Sequence, residues 1–304
     1  MRPAAALRPA APSLSGADLG LYGTTVLVWG TSWIALKAQL GGVAPEVSLA
    51  WRFLLAAALM LAWVAWRGER MRYAAADHLR FALTGLFMFS GNFTLFYYGG
   101  ATIPSGLLAV IFSLASVINL VLGALLLRQP IEGRVALGGC LGAAGIGLLF
   151  WPEIARAGAA PGVLAGLGLC AAGTLCFCLG NVVSTGIQRR GVPILAANAW
   201  GMVYGAGLLV AASFVRGHAF IVEPTWRYLG SLVYLATFAS VIAFACYLTL
   251  LRRIGAARAG YATVLFPIVA LGVSTAVEGY HWTPLAVLGA AAALAGNGLV
   301  LSRR

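Results

Sequence analysis

Apolar runs of about twenty residues alternate with short polar loops along the chain. The run over 103–127 contains no charged side chain. At a rise of about 1.5 Å per residue, a helix of that length crosses the ~30 Å hydrocarbon core of a bilayer. The pattern therefore predicts an all-α polytopic membrane protein with ten transmembrane helices, near residues 20–37, 47–66, 80–98, 103–127, 133–151, 162–185, 194–215, 227–250, 257–278 and 283–302.

Composition excludes a soluble two-domain protein. Charged residues make up 9% of the 304 residues and hydrophobic residues 61%, and the mean hydropathy is +0.92. Soluble domains carry about 25% charged residues. All five cysteines lie inside apolar runs, which disfavours structural disulfides.

The net charge of +12 follows the predicted topology and does not favour nucleic-acid binding. With the spans placed as above, 15 of the 20 Lys and Arg residues fall on one side of the membrane. The positive-inside rule makes that side cytoplasmic, so an even number of spans puts both termini in the cytoplasm. On the other side lie Lys37, Arg52, Arg156, Arg216 and Arg227.

The two halves of the chain resemble each other. An offset of 154 aligns Gly106 with Gly260 and Phe112 with Phe266, and an offset of 151 aligns three glycines of the fifth span with three of the tenth. We expect a cytoplasmic tail (1–19), a first five-helix repeat (20–151), an outer connecting loop (152–161) and a second five-helix repeat (162–304). Five is an odd number, so the two repeats are inverted relative to each other, the architecture of alternating-access transporters.

Polar and aromatic side chains recur at helical spacing within several predicted spans and are expected to face a cavity rather than lipid. For a single Ser or Thr, a bond to its own helix is the simpler explanation. For the asparagines, hydrogen bonding between helices is an equal alternative, and for Tyr97 and Tyr98 a place in the interfacial belt is favoured. The candidate cavity or hinge residues are Trp33, Asn92, Phe96, Ser116, Asn119, Asn181, Ser240, Tyr247 and Pro267.

Charges are missing from the span centres. Arg52 and Glu278 lie within two turns of the outer end, where snorkelling to the interface is favoured over pairing with each other or with a substrate's carboxylate and ammonium. We find no Walker loop and no histidine at metal-ligand spacing, so we predict no enzyme, cofactor or metal site. A small neutral or zwitterionic solute fits this interior better than a cationic drug or a phosphate ester.

The chain resembles the ten-helix EamA-type members of the drug/metabolite transporter superfamily over about residues 20–302. The resemblance rests on Val-Trp-Gly-Thr-Ser-Trp at 28–33, Arg52-Phe53 after Pro45, Tyr-Gly-Gly-Ala-Thr-Ile-Pro-Ser-Gly at 98–106 and Leu-Arg-Arg-Ile-Gly-Ala-Ala-Arg-Ala-Gly-Tyr at 251–261. Within that superfamily the chain is most similar to YddG-type bacterial exporters of aromatic amino acids and methionine. The resemblance implies a bacterial inner-membrane location.

The sequence therefore predicts a secondary, ATP-independent, alternating-access exporter of amino acids, with aromatic residues and methionine preferred. Its partners are an amino-acid substrate and the lipid bilayer, with no nucleic acid. The alternatives are an exporter of another metabolite or drug on the same fold, and a channel or lipid scramblase. Proton antiport, exchange and facilitated diffusion all stay open, and the sequence does not define an oligomeric state.

Overall fold

A computed structural model describes residues 15–127, 133–156, 161–254 and 262–301. Every regular element in those ranges is helical. Among these residues, seven helices are long and apolar enough to cross a membrane. Three shorter apolar helices, Ala136–Leu149, Leu265–Glu278 and Pro284–Gly296, lie within the remaining predicted spans. The prediction of an all-helical, polytopic membrane protein is confirmed.

The first half contains α1 (Gly16–Lys37), α2 (Pro45–Trp66), α3 (Ala75–Thr84), the π-helical segment π1 (Gly85–Gly91), α4 (Asn92–Gly100), α5 (Ser105–Ser113), α6 (Ala115–Leu127) and α7 (Gly133–Arg156). The second half contains α8 (Pro161–Arg189), α9 (Ile194–Val215), α10 (Trp226–Val233), the π-helical segment π2 (Tyr234–Ile242), α11 (Ala243–Ile254), α12 (Ala262–Glu278) and α13 (Pro284–Leu301).

Local sequence signals set several helix ends. Ser15 and Asp18 form a capping box, in which each side chain accepts a hydrogen bond from the other residue's backbone N–H. Pro45 begins α2, where its missing N–H would have had no helical partner. Two residues beyond the ends of α2 and α9, Gly68 and Gly217 have φ of 65° and 68°, a left-handed conformation that stops a helix and favours glycine.

Some boundaries differ from the predicted ones. Because of the capping box, α1 begins at Gly16 and not near residue 20. The run over 103–127 is interrupted at Leu114, next to Ser113, whose hydroxyl donates to the Val110 carbonyl oxygen at 2.6 Å, a back-bond that bends helices. The helix α7 continues through Pro152 to Arg156. The predicted tail up to residue 14 and the signature at 255–261 lie outside the described residues.

Each π-helical segment carries a serine that bonds to its own helix. The Ser90 hydroxyl donates to the Gly85 carbonyl oxygen at 3.0 Å, and the Ser240 hydroxyl donates to the Leu235 carbonyl oxygen at 2.9 Å. Both bonds reach five residues back along the chain. Such π-turns are rare and occur frequently at functional sites.

Helices of the first half pack mainly against helices of the second. The helix α2 lies against α9, α7 lies against α13, and both α1 and α5 lie against α12. The α1 helix also contacts π2 and α11, while α8 contacts π1 and α4. The core therefore lies between the halves, and buried aromatic side chains such as Phe53, Phe89, Phe96 and Phe266 fill it.

The α7–α13 contact is a seam of small residues. A Cβ atom added to Gly145 would lie 2.6 Å from the Gly289 carbonyl oxygen, and a Cβ atom added to Gly289 would lie 2.6 Å from the Gly145 carbonyl oxygen. Only glycine permits backbones to approach that closely, as in other membrane helix pairs.

Candidate functional site

Five aromatic rings from both halves form what we call the inter-half aromatic cluster. The Trp33 ring centroid lies 5.1 Å from that of Phe96 and 5.5 Å from that of Phe112. Phe177 on α8 and Phe266 on α12 lie 4.7 Å and 6.1 Å from Phe112. These separations lie within the range in which aromatic pairs attract each other. The cluster joins α1, α4 and α5 of the first half to α8 and α12 of the second.

A second group of rings, the Trp29 cluster, lies one turn earlier on α1. The Trp29 ring is 5.4 Å from Phe244 and 5.2 Å from Tyr247, both on α11. The Trp29 indole N–H donates to the Ala239 carbonyl oxygen in π2 at 3.3 Å. Tyr247, a predicted site residue, therefore lies against Trp29 and not in the inter-half aromatic cluster.

The predicted asparagines occupy two environments. Asn181 on α8 donates through Nδ2 to Oδ1 of Asn119 on α6 at 3.4 Å, the interhelical bond that the sequence left as an alternative. Asn92 is 1% exposed and donates through Nδ2 to the Met88 carbonyl oxygen at 3.3 Å. Its Oδ1 is buried and has no hydrogen-bond partner among the described residues. That oxygen is available to accept a hydrogen bond from a ligand.

Pro267 and Ser116 complete the predicted set. Pro267 is buried on α12 immediately after Phe266, and its missing N–H removes one backbone hydrogen bond from that helix. Ser116 lies on α6 one turn before Asn119, and its side chain falls outside the described residues.

Arg52 was predicted to snorkel, and the structure overturns that prediction. The residue is 4% exposed. Its Nε and Nη2 donate to the Ser240 hydroxyl oxygen at 3.3 Å and 3.2 Å, and its guanidinium carbon lies 4.4 Å from the centre of the Phe93 ring. Helical spacing alone did not reveal this site, because π2 and α4 turn Ser240 and Phe93 toward α2. The sequence feature that could have identified this site was a single cation within an apolar run.

The prediction of an interfacial belt is wrong for Tyr97. Its ring is fully buried, and its hydroxyl donates to Oε1 of Gln39 at 2.6 Å. Tyr98 donates to the Glu46 carboxylate and accepts from Nη1 of Arg216 at 2.8 Å. Arg216 also pairs directly with Glu46, and this carboxylate raises the pKa of the Arg216 guanidinium.

Glu278 is also held within the protein. Its Oε2 accepts hydrogen bonds from the Ser105 backbone N–H at 2.8 Å, the Ser105 hydroxyl at 2.6 Å and the Ser274 hydroxyl at 2.6 Å. The carboxylate thereby caps the start of α5 from the end of α12. Among the described residues it forms no ion pair with Arg52.

Apolar spanning helices around an aromatic, amide-containing interior define a polytopic membrane protein, and its family identifies it as a transporter. The chain belongs to the EamA-like transporter family, which matches residues 20–151 and 164–302. The predicted resemblance to EamA-type members of the drug/metabolite transporter superfamily is confirmed.

Several relatives are similar over most of their length. The uncharacterized inner membrane transporter YedA of Escherichia coli is 27% identical over 284 residues, covering 90% of this chain and 88% of that protein. Protein PagO of Salmonella typhimurium is 22% identical over 265 residues, covering 86% and 84%. The uncharacterized transporter YoaV of Bacillus subtilis is 24% identical over 254 residues, covering 83% and 85%. The chain is a multi-pass protein of the bacterial inner membrane.

The fold is similar to that of a solved crystal structure. That structure superposes with a TM-score of 0.68 at 20% sequence identity and covers 94% of this chain and 96% of its own chain. At this identity the similarity concerns the fold alone.

Proposed function

We propose that this transporter is an alternating-access exporter of amino acids that prefers aromatic residues and methionine, built from ten helices in two inverted five-helix repeats. The observation that carries the proposal is the inter-half aromatic cluster. Its rings come from both halves of the chain, where transporters built from inverted repeats bind their substrates. Aromatic rings favour aromatic solutes and also attract thioethers and ammonium groups.

The direction of equivalent helices supports the inverted repeat. Glu46 near the start of α2 pairs with Arg216 just beyond the end of α9, so these second and seventh spans run antiparallel. Gly138 of α7 meets Gly296 late in α13, while Gly145, seven residues further along α7, meets Gly289 early in α13, so the fifth and tenth spans also run antiparallel. Equivalent helices that are antiparallel neighbours are expected of repeats related by an axis in the membrane plane.

The inter-helix contacts follow the same symmetry. The contact of the first span with the eighth (α1 with π2 and α11) corresponds to that of the sixth with the third (α8 with π1 and α4). The contact of α2 with π2 corresponds to that of α9 with π1. Both π-helical segments fall at equivalent places in the third and eighth spans. These matches favour a duplicated unit, whose halves rock against each other to expose the centre alternately.

The polar groups near the rings fit an amino acid's ammonium group. The unpartnered Oδ1 of Asn92 lies one helical turn from Phe96, a member of the inter-half aromatic cluster. A buried acceptor without a donor costs about 1–3 kcal/mol, so a bound ammonium would relieve that cost. Asn119 and Asn181 supply a second neutral polar pair between the halves. Pro267, beside Phe266, is placed to act as a hinge in α12.

Efflux from intact cells tests the export of amino acids. Bacteria that express the chain and bacteria that carry an empty vector are loaded with radiolabelled phenylalanine, methionine or aspartate, and the loss of label is followed. We expect faster efflux of phenylalanine and methionine in the expressing cells, with aspartate unchanged. Equal efflux rates in both cell types, with the protein present in the membrane, would contradict the proposed substrate.

Efflux rates and a lipid assay in vesicles separate the alternatives. Another metabolite or drug as substrate would leave phenylalanine efflux at the vector rate. With a channel, the rate at which label is lost would keep rising with the internal concentration and would not saturate. A scramblase would move labelled phospholipid between leaflets of reconstituted vesicles and would not carry phenylalanine at all.

A further inference from the structure

Arg52 is a buried cation whose described neighbours are all neutral. The side chain is 4% exposed, and its Nε and Nη2 both donate to one hydroxyl, that of Ser240. The neutral Tyr97 hydroxyl accepts a further hydrogen bond from the guanidinium and donates its own hydrogen to Gln39. The rings of Phe93 and Phe53 face the guanidinium at 4.4 Å and 5.1 Å. Among the described residues no carboxylate lies within 4 Å of it.

A guanidinium has five N–H donors arranged to bind a carboxylate through two parallel hydrogen bonds. Of these donors, Nε and Nη2 donate to the Ser240 hydroxyl oxygen. The two distances, 3.3 Å and 3.2 Å, are long for charged hydrogen bonds. A charged residue held inside a membrane protein usually marks a path or a site for a charged group. The environment of Arg52 thus lacks the anion that its chemistry requires.

Three carboxylates with described side chains lie at the same predicted end of the molecule, and each already has a partner. Oε1 of Glu223 accepts a hydrogen bond from the Thr225 hydroxyl at 2.9 Å. Glu46 binds Arg216 and Tyr98, and its other oxygen lies 3.5 Å from His218. Glu278 accepts three hydrogen bonds from serines. Glu46 and Glu278 cannot turn toward Arg52 without breaking contacts between helices.

Arg52 lies close to both groups of rings. Its neighbour Phe93 is one turn before Phe96, a member of the inter-half aromatic cluster. Its partner Ser240 is one turn before Phe244, which contacts Trp29. One turn of helix spans about 5.4 Å, roughly the length of an amino acid from its carboxylate to its ring. A carboxylate on Arg52 would therefore leave an aromatic side chain within reach of either cluster.

We propose that Arg52 binds the carboxylate of the transported solute, oriented by the Ser240 hydroxyl and by the rings of Phe53 and Phe93. This assignment rests on the proposed amino-acid transport and specifies its chemistry: the substrate class is small organic carboxylates with an apolar tail that carries a ring or a thioether. The neutral asparagines then contact the remainder of the solute, and Arg52 is the charged residue of the proposed site.

The test compares each carboxylate with its amide in two assays on purified full-length protein. In proteoliposomes, unlabelled phenylalanine and phenylalaninamide compete with radiolabelled phenylalanine in counterflow. In detergent, 3-phenylpropionate and 3-phenylpropionamide are tested for thermal stabilisation of the protein. The variants are Arg52→Gln and the charge-retaining Arg52→Lys. The matched control is Arg67→Gln, which removes an exposed charge from the end of the same helix.

We expect wild type and Arg67→Gln to prefer each carboxylate over its amide by at least about tenfold, as a charge-assisted pair implies. In Arg52→Gln the ratio of carboxylate to amide affinity should fall to near one. Arg52→Lys should retain part of the preference for the carboxylate. If Arg52→Gln does not fold, the proposal is judged by the carboxylate-to-amide ratios of wild type and Arg52→Lys. Equal binding of carboxylate and amide by wild type, or an unchanged ratio in Arg52→Gln, would overturn the proposal.

The two assays separate this inference from the proposed function. Carboxylate-specific stabilisation that depends on Arg52, without phenylalanine counterflow, would support the inference and overturn phenylalanine as substrate. Saturable phenylalanine counterflow without discrimination between carboxylate and amide would support the function and overturn the role of Arg52. Neither effect, in folded protein, would overturn both.

Discussion

At the residue scale, the proposed site depends on rings that contact each other across the two halves. Trp33 contacts Phe96 and Phe112, and Phe112 reaches Phe177 and Phe266 on second-half helices. Trp33 is 8% exposed, so its ring is largely enclosed by its neighbours. A substrate ring that enters between the halves would exchange contacts with these residues, with little change in apolar surface exposed to water.

Replacing Trp33 with leucine should weaken the preference for aromatic substrates. The variant keeps an apolar side chain but loses ring contacts worth about 0.5–1.5 kcal/mol, so the KM for phenylalanine should rise about 2- to 10-fold. The KM for methionine should change less. Trp66→Leu is the control, because Trp66 is 85% exposed at the end of α2. An equal rise of both KM values in Trp33→Leu would show that Trp33 does not select for rings.

Asn181→Leu should alter the apparent affinity while leaving the folded yield intact. The substitution removes the donor to Asn119 at the contact of α6 and α8, and we expect the KM for phenylalanine to rise about tenfold, the effect of roughly one lost hydrogen bond. Gln188→Leu, an exposed amide near the end of the same helix, should leave KM unchanged. An unchanged KM in Asn181→Leu would remove Asn181 from the site and leave it a purely structural residue.

At the element scale, the helices follow from the apolar runs, but their irregularities do not. Each run is long enough to span a bilayer, and a helix satisfies every backbone polar group inside the run. The π-helical segments π1 and π2 pack against α9 and α2, and periodicity within one helix does not encode such contacts. Arg52 illustrates the consequence, because π2 presents to it the hydroxyl of Ser240.

The α7–α13 seam makes a specific prediction about stability. Gly145→Val places a side chain against the backbone of α13, and overpacking of this kind costs about 1–3 kcal/mol. Gly147→Val, two residues further on the same helix, meets no atom within 4 Å and is the control. Thermal unfolding in detergent should give a lower Tm for Gly145→Val alone. Equal Tm values for both variants would mean that the two helices do not pack this closely.

At the scale of the whole molecule, the sequence predicted the all-helical membrane class and the family, and it named part of the site that we propose. Trp33, Phe96 and Asn92 were identified because polar and aromatic residues in an apolar run are conspicuous. Phe177 was not a candidate, and Arg52 was expected to snorkel rather than to bind a carboxylate, because a site formed between two halves depends on which faces meet. The end contacts Glu46–Arg216 and Glu278–Ser105 likewise join residues far apart in the chain.

An inverted repeat requires the equivalent loops after α2 and α9 to lie on opposite sides of the membrane. Ala74 and Ala219 are exposed in these loops. With the five native cysteines replaced by alanine, we expect Ala219→Cys to react with a membrane-impermeant maleimide in intact cells. Ala74→Cys should react only after the membrane is permeabilised. Labelling of both from the same side would rule out the inversion.

Counterflow in proteoliposomes tests the central claim, amino-acid transport, most directly. Vesicles that contain the purified chain are preloaded with unlabelled phenylalanine and placed in a trace of radiolabelled phenylalanine. The account predicts transient, saturable accumulation of label that aromatic amino acids and methionine suppress and aspartate does not. Accumulation no greater than in protein-free vesicles, from protein with a cooperative unfolding transition, would contradict it.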